Sequence, residues 1–150
     1  MPEKETLERA EQDKREGKSP STQAGEFVRE EIHHVREGKH GAKSAKQAVA
    51  IGLSKARRAG VDLAPPKKGR GSEKTRKSAA RDSRRGRSKK KKTVSAKRSR
   101  SSEAALKREP RSAASHRALS RQAKSAARTR KKSAARTTQS RRTQSKRKAA

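Results

Sequence analysis

The chain has 150 residues, of which 25% are hydrophobic and 41% are charged, and its formal net charge at pH 7 is +31. It contains one Phe and no Tyr, Trp or Cys. So little apolar surface cannot offset the conformational entropy of ordering the whole chain, and like-charge repulsion opposes compaction. The composition therefore predicts a mostly disordered protein and excludes disulfides and thiolate metal sites.

Charge is distributed unevenly along the chain. Residues 1–62 carry 13 Lys/Arg and 11 Asp/Glu, whereas residues 63–150 carry 33 Lys/Arg and 4 Asp/Glu. Such asymmetry is typical of proteins that bind nucleic acid. The basic part lacks the apolar face that binding to a membrane surface requires, and the acidic start has no signal-peptide core. We therefore expect no membrane partner and a cytoplasmic, nucleoid-associated location, or a nuclear one in a eukaryote.

Residues 1–18 form a charged N-terminal segment in which acids and bases alternate. Glu5 with Arg9, and Glu11 with Arg15, have the i,i+4 order that supports a helix. Few apolar residues accompany them, so we predict a frayed, solvated helix that ends at Gly17.

Residues 19–63 have the pattern of a two-helix hairpin. Ser19 suits an N-cap, Pro20 suits the first helical position, and Gly38 suits the end of the first helix. Ser44 and Gln47 have the spacing of a capping box for the second helix. The predicted hairpin core is small and apolar: Phe27, Val28, Ile32, Val35, Val49 and Leu53. Because a core of this size gives marginal stability, self-association through the hairpin is expected.

Residues 64–150 are predicted to be a disordered, low-complexity tail of Lys, Arg, Ser and Ala. The pentapeptide Lys-Ser-Ala-Ala-Arg occurs at Lys77–Arg81, Lys124–Arg128 and Lys132–Arg136. We interpret these repeats as copies of a phosphate-contacting unit. Charge repulsion should keep the tail open in water, and a polyanion should allow residues 112–136 to become helical.

The tail is the predicted nucleic-acid-binding region, because each neutralised phosphate releases condensed counterions. The candidate contact residues are Arg84, Arg85, Arg87, Lys89, Lys90, Lys91, Lys92, Lys97, Arg98, Arg100, Lys124, Arg128, Arg130, Lys131, Lys132, Arg136, Arg141, Arg142, Lys146, Arg147 and Lys148. Within this set, Arg85-Gly86-Arg87 resembles the core of an AT-hook, with Ser88 in place of the usual Pro. In that family the two Arg side chains lie in a narrow A·T minor groove.

Histidines offer the only apparent metal ligands. His33 and Glu37 share a helix face at i,i+4, but His34 points about 100° away from His33. We therefore expect surface histidines, no metal and no cofactor. The sequence has no nucleophile motif and no phosphate-binding glycine loop, so it does not indicate an enzyme.

Two resemblances follow from these patterns. Residues 67–150 resemble the C-terminal tails of linker histone H1 and of bacterial histone-H1-like nucleoid proteins. Residues 21–60 resemble a family of small basic bacterial proteins of unknown function. The segment that carries this resemblance is Lys-Gln-Ala-Val-Ala-Ile-Gly-Leu-Ser-Lys-Ala-Arg at Lys46–Arg57. The first resemblance implies a histone-like role, and the second implies a bacterial source.

Together these observations favour DNA binding with little sequence preference, through phosphate neutralisation by the tail. Two alternatives stay open at this point. One is an RNA- or ribosome-associated basic protein, because phosphate contacts carry no base information. The other is an interaction adaptor whose helical hairpin binds a partner protein.

Overall fold

The computed structural model describes residues 2–69, 71–88 and 95–148, with side chains as far as residue 138. Within these ranges the chain forms α1 (Lys4–Arg15), α2 (Pro20–Glu37), α3 (Ala45–Arg58), α4 (Glu73–Arg87), α5 (Ala96–Lys107), a 3-10 turn (Arg111–Ala114) and α6 (His116–Lys148). The chain divides into two compact units, Met1–Ser115 and His116–Ala150.

The prediction of a mostly disordered chain is wrong, because α4, α5 and α6 all lie in the segment expected to be unstructured. The prediction rested on low apolar content and on like-charge repulsion. Alanine has the highest helix propensity, so Ala-rich segments form helices without a large apolar face. Serine also caps one of these helices, since Ser72 Oγ accepts a hydrogen bond from the Thr75 amide. A disordered tail of the histone-H1 type is therefore not what this chain contains.

Helix α1 packs against α2 instead of standing free in solvent. Thr6 and Ala10 are buried on its inner side. On its outer edge, Arg9 Nε donates a 2.8 Å hydrogen bond to Glu26 Oε2 on α2. These contacts give a helix with few apolar residues enough tertiary support to be ordered.

Helices α2 and α3 cross closely and run in opposite directions. The caps predicted at Ser19 and Ser44 are both formed, and Gly38 ends α2 in the left-handed conformation. At the crossing, Gly52 faces the α2 backbone so closely that a Cβ there would lie 2.7 Å from Val28 Cα. The absence of a side chain at this position is what allows the two helices to approach.

The core of the first unit consists of two small clusters. One combines Ala10, Ala24, Phe27 and Ala56, and the other combines Val35, Ala42, Ala48, Ala113 and Ala114. Of the predicted core residues, Phe27 and Val35 are buried, while Val28, Ile32, Val49 and Leu53 are partly buried. Alanine therefore supplies much of the core, which allows close helix packing with few large side chains.

The second cluster draws on residues far from the hairpin in sequence. The 3-10 turn contacts both α2 and α3 and buries Ala113 and Ala114. The Gly41 amide donates to the Leu106 carbonyl at 2.9 Å, and the Ala42 amide donates to the Pro110 carbonyl at 3.1 Å. A segment from the basic part of the chain, residues 63–150, thus packs against the hairpin at the α2–α3 loop.

Helix α4 packs on α3 through small and polar residues. Ala79 is buried, and a Cβ at Gly86 would collide with the Arg57 carbonyl oxygen. The buried Arg57 side chain donates to the Leu63 and Ala64 carbonyls at 3.2 and 3.3 Å. Burial lowers the pKa of Arg57 below its ordinary value, and nearby Asp82 partly offsets this effect.

Candidate nucleic-acid interface

The outward face of α4 is a stripe of cations. Lys74, Lys77, Arg81 and Arg84 recur at spacings of three and four residues, and all four are exposed. None of them forms an ion pair with the residues that the structure describes. Of the two acids of α4, Asp82 lies inward, where Ser54 Oγ donates to it and Arg58 Nε lies 3.8 Å away. The other acid, Glu73, is exposed in the first turn and forms an ion pair with Arg76. The solvent-facing side therefore presents mainly positive charge along the stripe.

Helix α6 shows the same spacing on a larger scale. Arg117, Arg121, Lys124, Arg128 and Lys131 follow one another at intervals of three and four residues, and all are exposed. The 33 residues of α6 include 13 Lys/Arg and no Asp or Glu. An α-helix rises about 1.5 Å per residue, so these cations are spread over about 50 Å. Such a helix has no charge of opposite sign within its own length.

The predicted contact residues fall into four groups. Those exposed on described helices are Arg84 and Arg85 on α4, Lys97, Arg98 and Arg100 on α5, and Lys124, Arg128, Arg130, Lys131, Lys132 and Arg136 on α6. Arg87 is also exposed on α4, but it forms an ion pair with Asp62. Residues 89–92 lie outside the described residues, so Lys89, Lys90, Lys91 and Lys92 are not placed. Arg141, Arg142, Lys146, Arg147 and Lys148 belong to α6, but their side chains lie outside the described part.

The candidate contact residues omit five residues of the two stripes, Lys74, Lys77, Arg81, Arg117 and Arg121, although the repeat Lys77–Arg81 is interpreted as a phosphate-contacting unit. The signal was present, because cations at spacings of three and four share one helix face. The three Lys-Ser-Ala-Ala-Arg repeats lie inside helices, one in α4 and two in α6.

Gly86 has a structural role that the AT-hook resemblance does not include. It lies in the last turn of α4, against the Arg57 carbonyl oxygen of α3. The Arg87 side chain donates a hydrogen bond to the Asp62 carboxylate. In this arrangement the Gly allows two helices to approach each other, and the triplet is not an extended segment free to follow a minor groove.

A separate cluster of polar side chains lies where the C-terminal half of α2 meets the α2–α3 loop. Glu31, His34 and His40 each bring one potential ligand atom within 4.8 Å of the others. Glu31 is fully buried, and its oxygens lie 3.1 Å from His40 Nε2 and 2.7 Å from Lys55 Nζ. The sequence pattern pointed to His33, His34 and Glu37 as possible ligands and did not indicate Glu31. His40 lies near Glu31 because the chain turns back after Gly38. Residue spacing along a helix does not predict this contact.

Two further carboxylates surround this cluster. Glu3 Oε1 lies 2.8 Å from His34 Nε2 and 3.0 Å from Lys39 Nζ. Hydrogen bonds from these two side chains lower the pKa of Glu3 to about 2. Glu30 is also buried; burial acts to raise its pKa, but the Glu3 amide and Lys55 outweigh that effect and the pKa lies below its ordinary value.

Residues 13–68 match a protein family of unknown function, DUF6496. The matched segment includes the end of α1, all of α2 and α3, and the Glu31–His34–His40 cluster. It stops before α4 and α6, so the two cationic stripes lie outside it. No curated protein and no solved structure matches the chain.

Among the described residues, no helix is both long enough and apolar enough to cross a bilayer.

Proposed function

We propose that the protein binds duplex DNA with little sequence preference and is nucleoid-associated. The observation that carries the proposal is α6, a helix with 13 Lys/Arg and no acid in 33 residues. The exposed stripe on α4 adds a second cationic surface. Phosphate neutralisation, not base recognition, is the source of affinity in this proposal.

The charge density of α6 supports this function. Spread over its length, the helix carries one positive charge per about 4 Å of axis, calculated at 1.5 Å per residue. Duplex DNA carries one negative charge per about 1.7 Å of axis. Like charges at i,i+4 destabilise a helix by about 0.2–0.5 kcal/mol per pair. Contact with a polyanion would remove that repulsion, so binding and helix stability reinforce each other.

Duplex DNA is favoured over RNA as the polyanion. Modules that recognise single-stranded RNA stack bases on exposed aromatic side chains. This chain has Phe27 as its one aromatic residue of the Phe, Tyr and Trp class, and Phe27 is fully buried. The major groove of B-DNA is wide enough to admit an α-helix, whereas that of A-form RNA is deep and narrow. A cationic helix therefore fits the DNA groove better.

A salt titration of the full chain on mixed-sequence duplex tests the proposal. The test variant is Arg121→Gln/Lys124→Gln/Arg128→Gln, which removes three neighbouring cations from α6. If all three contact phosphate, the slope of log K against log salt should become shallower by about 2.7, at about 0.9 per contact. Affinity should fall alike on all sequences.

The matched control is Lys14→Gln/Lys43→Gln/Lys46→Gln, which removes the same charge from exposed positions of the first unit. We expect this variant to retain the slope of the unmodified protein. Equal losses in the two variants would mean that net charge alone acts, and would contradict a binding face on α6. Tighter binding to structured RNA than to duplex DNA in competition would favour the RNA alternative.

A further inference from the structure

We propose that Glu31, His34 and His40 form a binding site for a divalent metal of the zinc class. The site is independent of the cationic stripes and of DNA binding. The sequence predicted no metal here, because the adjacent side chains of His33 and His34 point about 100° apart on a helix. Zinc sites use His nitrogen and carboxylate oxygen, and three protein ligands leave a fourth position for water.

The contact between His40 and Glu31 is the first observation. His40 Nδ1 lies 3.0 Å from the Gly41 carbonyl oxygen, to which it donates its hydrogen. A neutral His40 then has its lone pair on Nε2, which lies 3.1 Å from Glu31 Oε1. Two acceptor atoms at this distance repel unless a cation lies between or beside them. Either a proton on Nε2 or a metal ion supplies that charge, so metal and proton compete for the same position.

The burial of Glu31 is the second observation. Its side chain is fully buried, and neither oxygen accepts a hydrogen bond of regular geometry from the residues that the structure describes. Lys55 Nζ lies 2.7 Å from Oε2, so that oxygen has an ion pair even without a well-aligned hydrogen bond. Oε1 is the oxygen on the His40 side and is available as a monodentate ligand. A buried carboxylate with an unsatisfied oxygen is costly, and a metal ion would relieve that cost.

The surroundings of His34 resemble the outer shell of a metal site. His34 Nε2 lies 2.8 Å from Glu3 Oε1, and a carboxylate that accepts this hydrogen leaves Nδ1 to bind the metal. Glu31 and His34 are three residues apart, which places them on one face of α2. The side chains of His34 and His40 are 12% and 15% exposed, so only a small part of the cluster is in contact with solvent.

The distances are close to those that zinc requires. Bonds of about 2.0–2.2 Å in a tetrahedron place ligand atoms about 3.4 Å apart. The His40–Glu31 pair is already at 3.1 Å, and all three ligand atoms lie within 4.8 Å of one another. Closure by at most about 1.4 Å, within reach of His rotamer changes, completes the site.

Calorimetry of the full chain with zinc chloride at neutral pH tests the proposal. We expect one equivalent to bind with micromolar or tighter affinity. His34→Gln and His40→Gln should each weaken binding by at least about tenfold, the lower limit seen even for outer-shell changes. The matched control is His33→Gln, which alters an exposed neighbour outside the cluster and should leave the affinity unchanged.

A second measurement on the unmodified protein avoids any effect of the variants on folding. In a zinc titration followed by side-chain ¹⁵N NMR, the ring nitrogens of His34 and His40 should shift, and those of His33 and His116 should not. Absence of stoichiometric binding, or shifts confined to His33 or His116, would overturn the proposal. So would an equal loss of affinity in the His33→Gln control.

Discussion

Helices α3 and α6 are both rich in alanine and cations, but they place these residues differently. In α3 the spacing of three and four belongs to small residues, and Ala45, Ala48, Gly52 and Ala56 are buried. In α6 the same spacing belongs to Arg and Lys, and every residue from 116 to 138 is exposed or only partly buried. Packing therefore stabilises α3, whereas backbone propensity must contribute most of the stability of α6. Similar composition thus produces a core helix in one case and a charged surface helix in the other.

Removal of the largest core side chain should destabilise the first unit and leave α6 unchanged. Phe27→Ala deletes the one large ring from a cluster otherwise made of small residues, and should destabilise the first unit by about 3–5 kcal/mol. Thermal denaturation followed by circular dichroism, with residue-specific amide exchange, measures the loss. We expect α6 amides to keep their exchange rates. A parallel increase in exchange across α6 would show that its helix depends on this core.

A methyl group at the α3–α4 crossing should have a smaller effect. Gly86→Ala places a Cβ against the Arg57 carbonyl oxygen, and we expect about 1–3 kcal/mol of destabilisation as α4 moves away from α3. Amide exchange in α4 and the denaturation midpoint measure it.

The control for that substitution is Gly25→Ala, at a helix position where a Cβ has open space. Alanine there should stabilise the protein by about 0.5–1 kcal/mol, because it restricts the unfolded chain and favours helix. If Gly86→Ala proved equally favourable, α4 would not pack on α3 as described.

A glycine in α6 should act locally. Ala127 is exposed, so Ala127→Gly removes propensity without removing packing, at a cost of about 1 kcal/mol in local helix stability. Amide exchange should accelerate around position 127 and remain unchanged in α2 and α3. A lower denaturation midpoint for the first unit would contradict the view that propensity, not packing, supports α6.

The sequence was sufficient to predict the hairpin, because its signals are local. Caps at Ser19 and Ser44, the glycine after α2 and the apolar residues Phe27 and Val35 depend on neighbours within one or two turns. The ordering of α4 and the 3-10 turn depends on distant contacts, such as Gly86 with Arg57 and Ala114 with the Val35 cluster. The same reason explains why the Glu31–His40 contact was missed. Alanine and glycine carry little hydrophobic signal, so packing built on them is hard to predict from composition.

The smallest expected effect concerns Glu73 in the first turn of α4. Arg76 donates two hydrogen bonds to its carboxylate, at 2.6 and 3.0 Å, and these lower the pKa of Glu73 from its ordinary value of 4.5. A lowered folded-state pKa stabilises the helix above pH 4.5, and that contribution is lost as the pH falls through the lower value. Arg76→Gln should return the pKa of Glu73 towards 4.5, as measured by carboxyl ¹³C shifts. Glu103, whose pKa is lowered by Lys107 in α5, is the internal control and should not change. The Glu73–Arg76 ion pair joins residues three apart, so it requires α4 to be helical. An ordinary pKa for Glu73 in the unmodified, DNA-free protein would therefore mean that α4 is unfolded there.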